Sequence, residues 1–307
     1  GRIETSRNFL VSGGTLTGTV FTTLDGATLQ VAGNVTLDAV TLNTDLSLWQ
    51  QGVSVLNGLT LNGNLSLGYE ARVYFNGGSQ TLGGSGSVDF ANYERNSLVA
   101  NADNSTLTIG SGITVRGGNR WIGDDYTGSV IGYNRWAGGG DNVSVVNLGT
   151  IIADAAGRGI VINPRGSGTF ATGSGTIKAD NGGTLYVNAT TGDMSQAILA
   201  GASRMVLNGT YTLGSRINLS PGQTLELNGN YTTTTGFAVD AATLRLGGTW
   251  RATNTSIDVT NGGSLTFTTG GATLDAVTLN TDLSLWQQGV SVLNGLDRKS
   301  TRLNSSH

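Results

Sequence analysis

Two short acidic motifs, Asn43-Thr44-Asp45 and Gly123-Asp124-Asp125, carry the residue types best suited to catalysis. Two carboxylates flanking a sugar linkage can act as general acid and base, and an inverting pair stands about 6.5–9.5 Å apart. Other chemistries find no residues. A Ser-His-Asp set is not available, because the single His, His307, sits in the terminal run. No G-x-S-x-G, Walker or Rossmann pattern occurs. Gly83-Gly84-Ser85-Gly86-Ser87-Val88 approaches a calcium-binding G-G-x-G-x-D, but Val stands at the ligand position and Asp89 comes one place late. Such sites draw ligands from stacked copies, so one imperfect copy reads as a Gly-rich corner. The expectation is no catalytic residue, no metal and no cofactor.

Residues 116–141, RGGNRWIGDDYTGSVIGYNRWAGGGD, hold a different kind of candidate. Arg120, Trp121, Asp124, Asp125, Tyr126, Tyr133, Arg135 and Trp136 gather aromatic faces and paired charges where the rest of the chain has few aromatics. An insertion loop of this composition can offer stacking surfaces and charged partners to a sugar or a protein. The plain alternative is a loop that lays its aromatics over the flank of the fold and pairs Arg with Asp for its own stability. If the chain has one ligand site, these eight residues are the candidates.

The elements that must position them follow from a short beat. Apolar pairs at i, i+2 recur as Val35/Leu37, Val40/Leu42, Leu46/Leu48, Val53/Val55, Leu59/Leu61, Leu65/Leu67 and Val73/Phe75. Each pair is a short strand with two side chains on one face. Between the pairs lie Asn-Gly, Gly-Gly and Asn-Thr-Asp, residues suited to positive φ and to Asx-turns. The beat returns at Leu107/Ile109, Ile160/Ile162, Leu225/Leu227 and Leu265/Phe267. No helix competes, because the chain rarely runs ten residues without Gly and is rich in Thr and Val.

Composition narrows the class. The chain has 307 residues with 49 Gly, 2 Pro, no Cys, 12% charged residues and a formal net charge of −3. Scarce Pro excludes collagen, absent Cys excludes a disulfide scaffold, and no dense basic patch suggests nucleic acid. No apolar run is long enough for a transmembrane helix. Gly1 to Leu10 has neither a signal pattern nor an initiator Met, so the chain reads as an internal piece of a longer protein.

Strands this short, each followed by a bend, predict an all-β parallel β-helix, or β-solenoid, with three strands per coil of about 18–22 residues. The expected solenoid runs over residues 1–296. Asp45 and Asp124 are 79 residues apart. That is about four coils, or roughly 19 Å at the strand spacing, too far to share one sugar ring.

Residues 36–59, TLDAVTLNTDLSLWQQGVSVLNGL, recur without a difference at 273–296. This is either a recent duplication or an assembly artefact. Residues 297–307, DRKSTRLNSSH, lose the beat and resemble translated adaptor sequence, so they are read as a non-native or disordered tail.

Four segments carry a family resemblance: NGLTLNGNLSLG (57–68), YFNGGSQTLGGSGSVDF (74–90), LTIGSGITVRGGNRWIG (107–123) and VNLGTIIADAAGRGIVI (146–162). They resemble the β-strand-repeat proteins of bacterial surfaces, namely autotransporter passengers and filamentous-haemagglutinin-type adhesin segments. The most specific steps are a G-x-Q-T-L-x-G-x-G-x-V run at Gly78–Val88 and an N-x-G-T-I run at Asn147–Ile151. The resemblance implies a right-handed β-helix, secreted or displayed on a bacterial cell surface, acting as a stalk or adhesive segment without enzymatic activity. Expected partners are a host-cell, matrix or glycan surface, or neighbouring solenoid segments of the parent chain, with no nucleic acid and no membrane span. The enzymatic alternative is a pectin-type glycosidase or lyase, since those enzymes also use β-helices. The polygalacturonase pattern matches at N-T-D and D-D and then fails, because this chain has no G-H-G and no R-I-K.

Overall fold

The computed structural model describes residues 1–282, 285 and 289–298. Most of the basic terminal run, from residue 299 on and including His307, lies outside the described residues, as do 283, 284 and 286–288 of the second 24-residue copy. Every regular element among the described residues is a β-strand, and the strands pair in parallel as a β-solenoid. The chain divides into two compact units, Gly1–Ala189 and Thr190–His307.

The first unit winds through three parallel faces. One carries Leu46–Leu48, Asn64–Leu67, Ser87–Phe90, Thr114–Gly117, Thr150–Ala153 and Thr176–Ala179, each paired with the next. A second carries Gly52–Leu61, Arg72–Phe75, Ser97–Ala100, Ser129–Gly132 and Gly159–Asn163 in the same order. The third carries Gln80–Gly84, Thr106–Ile109, Ser144–Asn147 and Phe170–Ala171. Period-2 alternation turns one side of each strand inward, so aliphatic rungs stack from coil to coil. Leu46, Leu65, Val88, Val115, Ile151 and Ile177 form one such rung, none more than 2% exposed. The apolar pairs from Val35/Leu37 to Val73/Phe75 are all buried.

Two polar residues interrupt these rungs for a reason. Gln80 is paired with Leu107 on the third face and is buried. Its Oε1 accepts from the Gly58 amide at 2.9 Å, and its Nε2 donates to the Val55 carbonyl at 3.0 Å and to the Asn76 carbonyl. Asn147, paired with Ile109, is fully buried. Its Nδ2 donates to the Thr176 carbonyl at 2.9 Å, and its Oδ1 accepts from the Gly149 amide at 3.1 Å. The Gly58 and Gly149 amides, at corners of the winding, find their acceptors in these side chains. The Gln of the G-x-Q-T-L run and the Asn of the N-x-G-T-I run are therefore corner residues. Gly86, in the Gly-rich corner after Gln80, allows close coil contact: a Cβ there would sit 2.2 Å from the Gly63 carbonyl oxygen.

Other corners carry ladders of asparagine amides, stacked as the strands are. Asn62 donates to Asn43, 19 residues earlier, at 2.7 Å, and Asn101 to Asn76, 25 residues earlier, at 2.6 Å. Asn142 donates to Asn104 across 38 residues at 3.1 Å. That last coil is the one that contains the aromatic insert. Its extra length leaves the solenoid without disturbing the rungs.

The second unit repeats the principle with longer, bent strands: Arg204–Leu213, Thr224–Thr233, Thr243–Thr260, Ser264–Asn280 and Val290–Arg298. Its core includes an aromatic rung. Tyr211, Tyr231 and Trp250 are in register, and the rings stack at 5.5 and 6.5 Å between centroids. Burial pushes both tyrosine hydroxyls well above their ordinary range, so they stay protonated.

Within the described residues, the two copies of the duplicated segment share a bulge and a corner hydrogen bond. Ala39 and Ala276 both take a left-handed backbone, with φ of 52° and 58°, and each marks a bulge in its strand. In each copy an Asn donates to the preceding Asp, Asn57 to Asp38 at 2.7 Å and Asn294 to Asp275 at 2.6 Å.

Candidate binding site on the insert

The 116–141 segment is two loops rather than one. Arg116 and Gly117 end the strand Thr114–Gly117, and Ser129–Gly132 is a strand of the second face between the loops. Most strands of the first unit's other faces alternate buried and part-exposed positions, but Ser97–Ala100, Ser129–Gly132 and Gly159–Asn163 of the second face are buried at every position. Their outer side is therefore covered. The insert supplies the cover: the Tyr74 hydroxyl donates to the Ala137 carbonyl at 3.4 Å, and Trp136 meets Arg72 of the same face.

Each loop is built on a buried asparagine. Asn119 accepts from the Trp121 amide at 2.9 Å, and Asn134 accepts from the Trp136 and Ala137 amides at 2.8 Å. Both are Asx-type turns, in which a short side chain replaces a backbone acceptor. Asp124 builds a third, accepting from the Tyr126 amide at 2.8 Å and the Thr127 hydroxyl at 2.5 Å. Partial burial alone would push the Asp124 carboxyl up. The hydrogen bonds from Thr127 and Tyr126, with the Arg135 charge, outweigh it and hold the carboxyl below its usual range.

Most of the eight candidates are engaged with one another or with the wall. The Arg135 side chain lies 3.3 Å from Asp125 and 3.9 Å from Asp124. Its guanidinium and that of Arg95 each lie 5.4 Å from the Tyr126 ring. Trp136 carries Arg72 at 4.4 Å and Arg95 at 5.3 Å, and Tyr133 carries Arg165 at 4.0 Å. Arg95 is itself paired with Glu70 at 2.8 Å. The result is an alternating run of Arg72, Trp136, Arg95, Tyr126 and Arg135. Each cation–ring contact contributes about 0.5–1 kcal/mol at sites of this exposure.

Arg120 and Trp121 lie apart from that run. Arg120 stands 4.2 Å over the Trp121 ring, and the two form one wall of a cleft of about 330 Å³. Tyr69, Asn92, Tyr93 and Glu94 complete it. Trp49 extends the aromatic surface, its ring 4.5 Å from Tyr93 and 6.1 Å from Tyr69. Gly68 makes room for it, since a Cβ there would stand 2.6 Å from the indole. Trp49 is 50% exposed and Tyr93 45%. The two walls are tied together by Asn119, whose Nδ2 donates to the Tyr93 carbonyl at 3.0 Å while its Oδ1 holds the Trp121 amide. Buried Asn96 also donates to the Tyr93 carbonyl, at 2.9 Å.

Sequence reasoning did not single out Asn119, Asn134, Tyr69, Tyr93, Trp49, Arg72 or Arg95 for this region. A signal for the two asparagines was present. Asn-Arg-Trp occurs twice, at 119–121 and 134–136, with a turn-building residue before each Trp.

The acidic motifs are used locally. Asp45 accepts from the Asn64 amide at 2.7 Å, and buried Thr44 shares a 2.7 Å hydrogen bond with Thr23. Asp45 lines an open concavity of about 490 Å³ with Ser47, Trp49 and Gln51, and it is the one carboxylate among the described lining residues. Among the described residues no three His, Cys, Asp or Glu side chains gather as a metal would need, and no helix is long and apolar enough to cross a membrane.

No family model, curated protein or solved structure matches this chain. The fold itself places it among β-solenoid proteins.

Proposed function

We propose that this chain is a non-enzymatic structural and adhesive segment of a secreted or surface-displayed bacterial protein. It works as a stiff scaffold that holds an aromatic patch against a host-cell, matrix or glycan surface, or against neighbouring solenoid segments of its parent. Parallel coils resist bending because each is bonded to the next, and weak contacts add by repetition along such a scaffold.

The observation that carries the reading is the insert. The solenoid accommodates a coil of 38 residues between neighbours of 25 and fastens its rings to the outer wall with Arg72 and Arg95, while leaving Trp49 and Tyr93 about half exposed. The carboxylates that a sugar-cleaving mechanism would need are already engaged, Asp45 by the Asn64 amide of the next coil and Asp124 within its own turn.

The competing reading is a carbohydrate-active enzyme working at Asp45 in its concavity beside Trp49. One experiment separates them. The purified chain is incubated with immobilised polysaccharides, including polygalacturonate, and with matrix proteins. Retention of the chain with no new reducing or unsaturated ends is the expected result. Release of such ends, abolished by Asp45→Asn, would establish the enzyme instead.

A further inference from the structure

We infer that the cleft between Tyr93 and Trp121 is a binding site for an uncharged pyranose chain. The inference deepens the adhesive reading and rests on it.

Ring availability is the first argument. Tyr126, Tyr133 and Trp136 each carry at least one guanidinium that is also held in the scaffold or an ion pair. Trp49 and Tyr93 make only edge or tilted contacts with other rings and remain about half exposed. An exposed aromatic face sheds poorly bound water when the C–H face of a sugar covers it, and the sugar's hydroxyl rim then stays wet.

Polar groups surround those rings as a sugar requires. Asn92 supplies a donor and an acceptor, Glu94 two acceptor oxygens and Arg120 a fork of donors, all lining the same cleft as Tyr93 and Trp121. One acid and one base leave the lining without net charge. A uronate chain would bring its carboxylates to Glu94 with one cation to offset them, so the complementarity favours a neutral sugar. At about 330 Å³ the cleft is at the small end of ligand sites, suited to about one or two sugar rings. Trp49 lies beyond Tyr93 as a further platform for a chain that continues.

Preorganisation is the third argument. The Tyr93 carbonyl is gripped by the amides of both Asn96 and Asn119, and Asn119 also fixes the Trp121 turn. A site whose walls are held before binding loses less freedom when the ligand arrives.

The test uses the full chain and three soluble probes: β-glucan oligosaccharides, mannan oligosaccharides and N-acetylglucosamine oligomers, with oligogalacturonate as the acidic comparison. Binding is followed by tryptophan fluorescence and affinity electrophoresis. At least one neutral probe is expected to bind more tightly than oligogalacturonate. Trp121→Ala and Tyr93→Ala should each weaken that binding by roughly tenfold or more, as loss of a central aromatic anchor does. Tyr93→Phe, which keeps the ring, should retain it, and circular dichroism melts show whether each variant is folded. Neutral binding that survives both folded alanine variants overturns the cleft and leaves the adhesive reading standing. So does a chain that adheres to matrix protein but to none of the neutral probes. A chain that adheres to nothing overturns both.

Discussion

Asn119 and Tyr93 are joined across two coils by a hydrogen bond from the Asn119 side-chain amide to the Tyr93 carbonyl, at 3.0 Å, with the Asn fully buried. The same amide nitrogen donates to the Thr127 carbonyl at 3.0 Å, and the amide oxygen holds Trp121. One side chain thereby sets the spacing of both cleft walls.

Asn119→Ala removes all three bonds and leaves a buried amide and two carbonyls without that partner. The expected loss is about 1–3 kcal/mol, confined to the insert. Hydrogen exchange should show faster exchange at Trp121 and in the 91–95 loop, with the Leu65 and Ile151 strands unchanged. Uniform acceleration throughout the first unit would mean that Asn119 supports the whole fold and not the cleft.

Arg95 and Arg135 both meet the Tyr126 ring, yet their removal should differ in cost. Arg95 is three-quarters buried, paired with Glu70 and shared with Trp136, whereas the Arg135 side chain is 62% exposed. Arg95→Ala should destabilise the unit by about 1–3 kcal/mol, since it strands the equally buried Glu70 carboxylate and uncovers one side of Trp136. Arg135→Ala should cost under about 1 kcal/mol, as exposed pairs do. Urea titrations of the two variants measure the difference, and equal costs would contradict the stack.

The Asp124 turn should be acid-sensitive. Its folded carboxyl titrates below the ordinary value, so the unfolded chain takes up the proton first. Stability from this group is fully present above about pH 4 and falls as pH drops from there through the folded value. Near-UV circular dichroism and tryptophan emission should report loosening of the insert in that window. Asp124→Asn should flatten that part of the profile, and an unchanged profile would remove Asp124 as its source.

Gln80 and Asn147 should be costly to replace although both stand in apolar rungs. Gln80→Leu keeps the volume but strips the Gly58 amide of its acceptor and the Val55 carbonyl of one of its two donors. The expected loss is about 1–3 kcal/mol by thermal or denaturant melts. Ser66→Ala, on the outward side of a neighbouring strand, should fall within about 0.5 kcal/mol. If Gln80→Leu were as mild, the corner account would fail.

The alternating pairs from Val35/Leu37 to Val73/Phe75 were enough to read parallel coils with aliphatic rungs, because inward and outward alternation depends only on a residue and its near neighbours. The copies at 36–59 and 273–296 make the point directly: the same residues place a bulge at Ala39 and at Ala276. Coil length is a different matter. Whether Arg95 meets Tyr126, or Asn119 meets Tyr93, depends on how many residues each intervening coil consumes, and that count is 18 at Val35–Val53 but 38 at Asn104–Asn142. Arg120, Trp121, Tyr126 and Trp136 were visible as a cluster in one dimension. Which of them face a guanidinium and which face solvent was decided by the registers of strands far apart in the chain, where only the closed winding brings the partners together.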